Sequence, residues 1–85
     1  IENIALEKQI TLYPNPVKEV LQVKLSKEIQ EKDIQAISIY NTKGELVYTS
    51  PEYKPTIMVK SWAKGLYMVK IQLAKGEISK KIAVQ

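Results

Sequence analysis

A chain of 85 residues holds one domain, and a domain of that size buries only about 60–65% of the surface its unfolded chain exposes, so its core is thin. Cysteine and histidine are both absent, which excludes disulfides and thiolate zinc sites and removes the commonest general base. The net charge of +4 comes from 13 basic residues, all lysine, among nine acids; a nucleic-acid reader would draw on arginine, so a solubilising surface and no nucleic-acid partner are expected.

Residues 1–8 mix acids, an amide and apolar residues without a period and read as a tether; the folded domain is expected over residues 9–85. Gln9 to Tyr13 is a short β-rich run stopped by Pro14-Asn15-Pro16, because two prolines in three residues supply no ladder N–H groups and hold Asn15 extended. In Val20 to Leu25, the residues Leu21, Val23 and Leu25 alternate with Gln22 and Lys24, the period of a half-buried strand. Ser26 to Asp33 is charged and fits a loop or a single helical turn. Ile34 to Tyr40 places Ile37 and Ile39 on one face, and Asn41-Thr42-Lys43-Gly44 supplies a hairpin turn in which Gly44 offers positive φ. Glu45 to Ser50 returns, with Leu46 and Tyr48 opposite Val47 and Thr49.

Pro51 and Pro55 bracket a loop containing Tyr53, and Thr56 to Lys60 follows with Ile57 and Val59 in phase. A turn at Trp62-Ala63-Lys64-Gly65 leads into Leu66 to Leu73, whose Tyr67, Val69, Ile71 and Leu73 share one face. Ala74-Lys75-Gly76 turns the chain into Glu77 to Val84. Seven candidate strands separated by turn signals predict an all-β fold, an immunoglobulin-like antiparallel β-sandwich of about seven strands, with a β-barrel as the other all-β solution. No apolar run approaches the ~20 residues of a membrane span, and no basic-then-apolar start reads as a signal peptide. The expectation is a soluble piece whose export address, if it has one, lies upstream or in its own fold.

Catalysis finds little footing. Glu19, Glu28, Glu31, Asp33, Glu45 and Glu77 fall mostly in turns or at strand edges, where solvated carboxylates are ordinary. Glu28, Glu31 and Asp33 lack the oxygen-ligand spacing and turn glycine of a calcium loop, and Gly44, Gly65 and Gly76 are too scattered to cradle phosphate. No cofactor and no enzymatic activity are expected. Trp62 with Tyr13, Tyr40, Tyr48 and Tyr53 would make a stacking platform for sugars or bases if they converged, but strand propensity and core capping are the favoured explanation. Lys80 shares the inward phase with Ile78, Ile82 and Val84, a position where lysine protects an edge strand from pairing. Lys80-Lys81 is also a candidate surface for a partner.

Several of these blocks occur in a familiar order: Tyr13-Pro14-Asn15-Pro16, Val20-Leu21-Gln22-Val23, Ile37-Ser38-Ile39-Tyr40-Asn41, Gly44-Glu45-Leu46-Val47, Ala63-Lys64-Gly65-Leu66-Tyr67-Met68-Val69-Lys70-Ile71, and Gly76 with Lys80-Lys81-Ile82-Ala83-Val84. From Gln9 to Gln85 the chain resembles the type A C-terminal sorting domain of the type IX (Por) secretion system of Bacteroidetes. The resemblance implies an immunoglobulin-like signal at the end of an upstream cargo that is exported to the periplasm and passed through the outer-membrane translocon to the surface or the medium. It further implies removal by a sortase-like protease, with the cut near or before Ile1. Translocon recognition would map onto Gly65, Tyr67, Val69, Gly76, Lys80, Lys81 and Val84, and Pro14, Asn15, Pro16 and Gly44 would be structural. Ala63 departs from the family, many members having proline there, which implies a looser local loop. Strand Glu77 to Val84 is expected to offer an edge for strand addition, and the isolated domain to dimerise by strand exchange. The competing reading is a non-catalytic adhesive or carbohydrate-binding β-sandwich module, which requires an exposed aromatic cluster or a calcium loop.

Overall fold

Seven strands form where the alternating pattern places them: β1 (Ile10–Tyr13), β2 (Val20–Leu25), β3 (Ile34–Asn41), β4 (Leu46–Ser50), β5 (Thr56–Met58), β6 (Gly65–Leu73) and β7 (Gly76–Val84). The computed structural model describes residues 9–85, so the tether read in residues 1–8 lies outside the described residues. Strands β1-β2-β5 make a three-stranded sheet and β4-β3-β6-β7 a four-stranded one. All five ladders are antiparallel. The connections β2–β3, β4–β5 and β5–β6 each pass from one sheet to the other, which gives the crossed wiring of an immunoglobulin-like sandwich rather than a closed barrel. Among the described residues no helix is long and apolar enough to cross a membrane.

One face of each sheet is apolar, so the sheets close on each other. Ile10, Leu21, Val23 and Ile57 come from the smaller sheet and Ile37, Ile39, Val69, Ile71, Ile78 and Ile82 from the larger, all within one buried cluster. Removing each such side chain from water contributes about 1.5–3 kcal/mol, the main favourable term for a fold without disulfides.

Three local expectations are revised. Strand β5 stops at Met58 rather than Lys60, although Val59 is fully buried; the Val59 N–H donates to the Glu19 carbonyl at 2.8 Å instead of continuing a ladder. Strict alternation fails in β4: a register shift pairs Leu46 with Tyr40 after Tyr48 has paired with Ile39, so Leu46 points away from the core and is 53% exposed. The charged Ser26–Asp33 segment contains one 3-10 turn (Glu31–Asp33), as expected, but it also buries Ile29 as a plug at the rim of the core.

The β3–β4 turn is built as predicted. The Asn41 Oδ1 accepts from the Lys43 and Glu45 N–H groups at 2.9 and 3.0 Å, and Gly44 takes φ +83°.

Candidate functional site

All seven residues that the resemblance points to for recognition lie on the β6–β7 hairpin, and strand phase sets the orientation of five of them. Tyr67, Val69 and Val84 point inward and are buried. Lys81 points outward and is exposed, and Lys80 is half-buried in the inward phase opposite Val69. The remaining two, Gly65 and Gly76, open β6 and β7, and Gly65 has φ +148°, a conformation costly for a residue with a side chain.

Tyr67 does more than fill space. Its hydroxyl donates to the Ala63 carbonyl at 2.6 Å, four residues upstream, and its ring packs on Trp62 with centroids 5.2 Å apart. This is a tyrosine corner at the crossing from the smaller to the larger sheet, and it pins the loop before β6. Ala63 contributes through its backbone carbonyl, which a residue of any type supplies. The Tyr48 ring centroid lies 6.4 Å from that of Trp62.

Sequence distance hides the second feature. Beyond Pro14-Asn15-Pro16, whose Tyr13–Pro14 and Asn15–Pro16 bonds are both cis, the chain leaves the smaller sheet and meets the outer edge of β7. The Val17 N–H donates to the Ala83 carbonyl at 2.8 Å, and the Gln85 N–H donates to the Val17 carbonyl at 2.9 Å. The Asn15 side chain extends the contact as a surrogate peptide group. Its Oδ1 accepts from the Ala83 N–H at 3.0 Å, and its Nδ2 donates to the Lys81 carbonyl at 3.4 Å. Val17 itself is fully buried. The first and last motifs are therefore one structure, a latch that occupies the β7 edge from Lys81 to Gln85.

The expected open edge at Glu77–Val84 is thus corrected: β7 is an edge strand, but only its first half lacks a neighbour among the described residues. Lys80 stands next to the end of the latch, where an inward charge discourages pairing. Lys80→Leu is expected to raise stability by up to about 1 kcal/mol through added apolar burial and to cause concentration-dependent association. Denaturant melts and gel filtration over a concentration series measure both, and a variant that stays monomeric throughout counts against edge protection.

The aromatic residues do not assemble into one platform. Tyr48, Trp62 and Tyr67 form the cluster described above, while Tyr40 lies on the outer face of the larger sheet beneath the Lys70 ammonium, 5.4 Å from its ring centre. Tyr13 and Tyr53 line a groove beside β2 with Lys24 and Glu31. The acids of the Ser26–Asp33 loop are engaged locally: Glu28 accepts from Gln9 Nε2, and Asp33 accepts from the Gln30 N–H, each at 3.0 Å.

Tyr53 donates its hydroxyl to the Val23 carbonyl at 2.6 Å. Burial raises its pKa above the ordinary tyrosine value, with Glu31 and Tyr13 adding to the effect. Because the unfolded phenol ionises first, the stabilisation is intact below about pH 10 and is lost as pH rises from there through the folded-state value. Stability measured against pH is expected to fall less steeply in this alkaline window for Tyr53→Phe than for the parent. Identical slopes would remove Tyr53 as the cause.

The marked residues of this two-sheet antiparallel sandwich serve backbone turns, core and latch. The chain belongs to the family of secretion system C-terminal sorting domains, the tail domains of the type IX (Por) system; the family model so described matches residues 11–85. No curated protein matches the sequence. Among solved structures, a chain from work on PorZ, described as an essential bacterial surface component of the type-IX secretion system of human oral-microbiomic Porphyromonas gingivalis, is similar over 92% of this chain with TM-score 0.68 and 19% identity. That match takes up 12% of the PorZ chain, and at this identity it shows a shared fold.

Proposed function

We propose that this domain directs an attached cargo protein through the type IX outer-membrane translocon to the cell surface or the medium, and that a sortase-like protease then removes it. The match of the sorting-domain family to residues 11–85 carries this reading. Its physical counterpart is the division of labour in the terminal hairpin. Tyr67, Val69 and Val84 hold β6 and β7 in the sandwich, Gly65 and Gly76 give them their starting geometry, and Lys80 and Lys81 are the side chains within a receptor's reach. The upstream cargo carries whatever catalytic activity the exported protein has.

The test is a fusion of these residues to a periplasm-targeted reporter in a Bacteroidetes host with a working translocon. The reporter is expected at the surface or in the medium, and retention in the periplasm would overturn the reading. Within that assay, Lys80→Ala with Lys81→Ala is expected to reduce export while the domain stays folded. Processing is read separately: loss of the tag from surface material should stop when the host's sortase-like protease is inactivated.

A further inference from the structure

The outer face of the four-stranded sheet carries an apolar strip that the fold itself does not use. Leu66 is 57% exposed, and Met68 lies two residues on along the same face of β6. Across the ladders Met68 pairs with Tyr40 on one side and Lys81 on the other, and Leu66 pairs with Ala83. Leu66, Met68 and Lys81 form a cleft of about 290 Å³ with Asn41 and Thr42 of the β3–β4 turn. A second depression of about 280 Å³ adjoins it and brings in Lys43 and Lys64.

Charge around this strip is one-sided. Lys43, Lys64 and Lys81 line the two clefts, and Lys70 sits over Tyr40. The only carboxylate lining either cleft is that of Glu45, and it already accepts from Asn41 Nδ2 at 2.8 Å. Among the described residues the only ion pair within 4.0 Å is Lys54–Glu52, at a distant loop, so none of these four lysines is neutralised by a described carboxylate. An exposed leucine beside a half-buried methionine, rimmed by unneutralised cations, fits a ligand that combines apolar groups with negative charge.

We propose that this face is a docking surface for an acidic, apolar polypeptide segment of the export machinery, with Leu66 and Met68 as its apolar floor and Lys43, Lys64 and Lys81 as its charged rim. The proposal rests on the sorting reading and extends it, since Lys81 becomes one member of a surface that includes β6 and the β3–β4 turn. A polypeptide fits better than a lipid surface because the clefts are concave and bear the Thr42 hydroxyl on their lining, whereas a bilayer interface is met by a convex apolar protrusion.

The test titrates the isotope-labelled domain with two synthetic peptides of equal length, one alternating leucine with glutamate and one alternating leucine with lysine. The acidic peptide is expected to shift the amide signals of Asn41, Leu66, Met68 and Lys81. Leu66→Ser or Lys81→Gln should weaken that binding about fivefold, added salt should weaken it further, and Met58→Ser, on the opposite sheet, should leave it unchanged. Equal binding of the basic peptide, or shifts that map elsewhere, would overturn the proposal. So would the same shifts produced by phosphatidylglycerol vesicles and not by the acidic peptide, which would make the partner a lipid surface. In the reporter assay, failure of the parent domain to export defeats the sorting reading; export by the parent and equally by a folded Leu66→Ser, Lys81→Gln variant defeats this proposal alone.

Discussion

Tyr67→Ala is expected to destabilise the domain by about 3–5 kcal/mol, and Tyr67→Phe by about 1 kcal/mol. The alanine variant empties a site that is 7% exposed, strips the packing surface from Trp62 and leaves the Ala63 carbonyl without its donor. The phenylalanine variant keeps the ring and loses only the 2.6 Å hydrogen bond. For a domain of this length a change of 1 kcal/mol moves the melting temperature by about 4–8 °C, so even the mild variant is measurable. The alanine variant approaches the whole stability of a small domain with a thin core, and export of an attached reporter should fall because the signal unfolds. Urea melts of the two variants decide the matter. If phenylalanine costs as much as alanine, the hydroxyl bond and not the packing holds the corner; if phenylalanine costs nothing, the corner is not a structural device here.

The latch supplies the second large effect. Val17→Ala removes two methyl groups from a fully buried position and is expected to cost roughly 2 kcal/mol. Asn15→Ala deletes an exposed hydrogen-bonding side chain and should cost less, about 1 kcal/mol, since water can replace its bonds. The signature is local. The Ala83 and Gln85 amides face the latch, so in an antiparallel ladder the Ile82 and Val84 amides face β6. Amide exchange is therefore expected to accelerate at Ala83 in Asn15→Ala and at both Ala83 and Gln85 in Val17→Ala, while Ile82 and Val84 keep their protection unless the whole domain opens. Unchanged exchange at Ala83 in Asn15→Ala would show that the asparagine is not closing the edge. Because both residues hold the same strand, the double variant should depart from additivity.

These two devices were legible to different degrees. Tyr67 is correctly placed inward by its phase with Val69 and Ile71, yet its bond to Ala63 is invisible in that phase, because nothing in the alternation says where a phenol reaches along the loop behind it. Asn15 reads as part of a rigid corner from its flanking prolines alone. Its partners, Lys81 and Ala83, are 66 and 68 residues away. Val17 and Ile29 give no signal at all in a periodic reading, since each is a lone apolar residue among polar ones. The useful clue is that very isolation: a single β-branched residue in a charged stretch has a reason to be apolar, and here the reason is burial. Leu46 misleads in the opposite direction, because a bulge turns an apolar residue outward without any change in composition.

Local sequence was enough to determine the seven strands, the inward faces of all but β4, and the glycine turn at Gly44. Side-chain alternation is imposed by the pleat of each strand, and turn chemistry by φ at single residues, so both are written over stretches of a few residues. The all-β class follows from them, and the order of the motifs carried the family. Tertiary structure alone decided that the Pro14–Val17 segment closes the end of β7, that only half of that edge stays open, and that Leu66, Met68 and Lys81 share one face with the lysines of two turns. Those facts depend on which strands become neighbours, and strand pairing is set by the closing of two sheets on one core rather than by any residue's own preference.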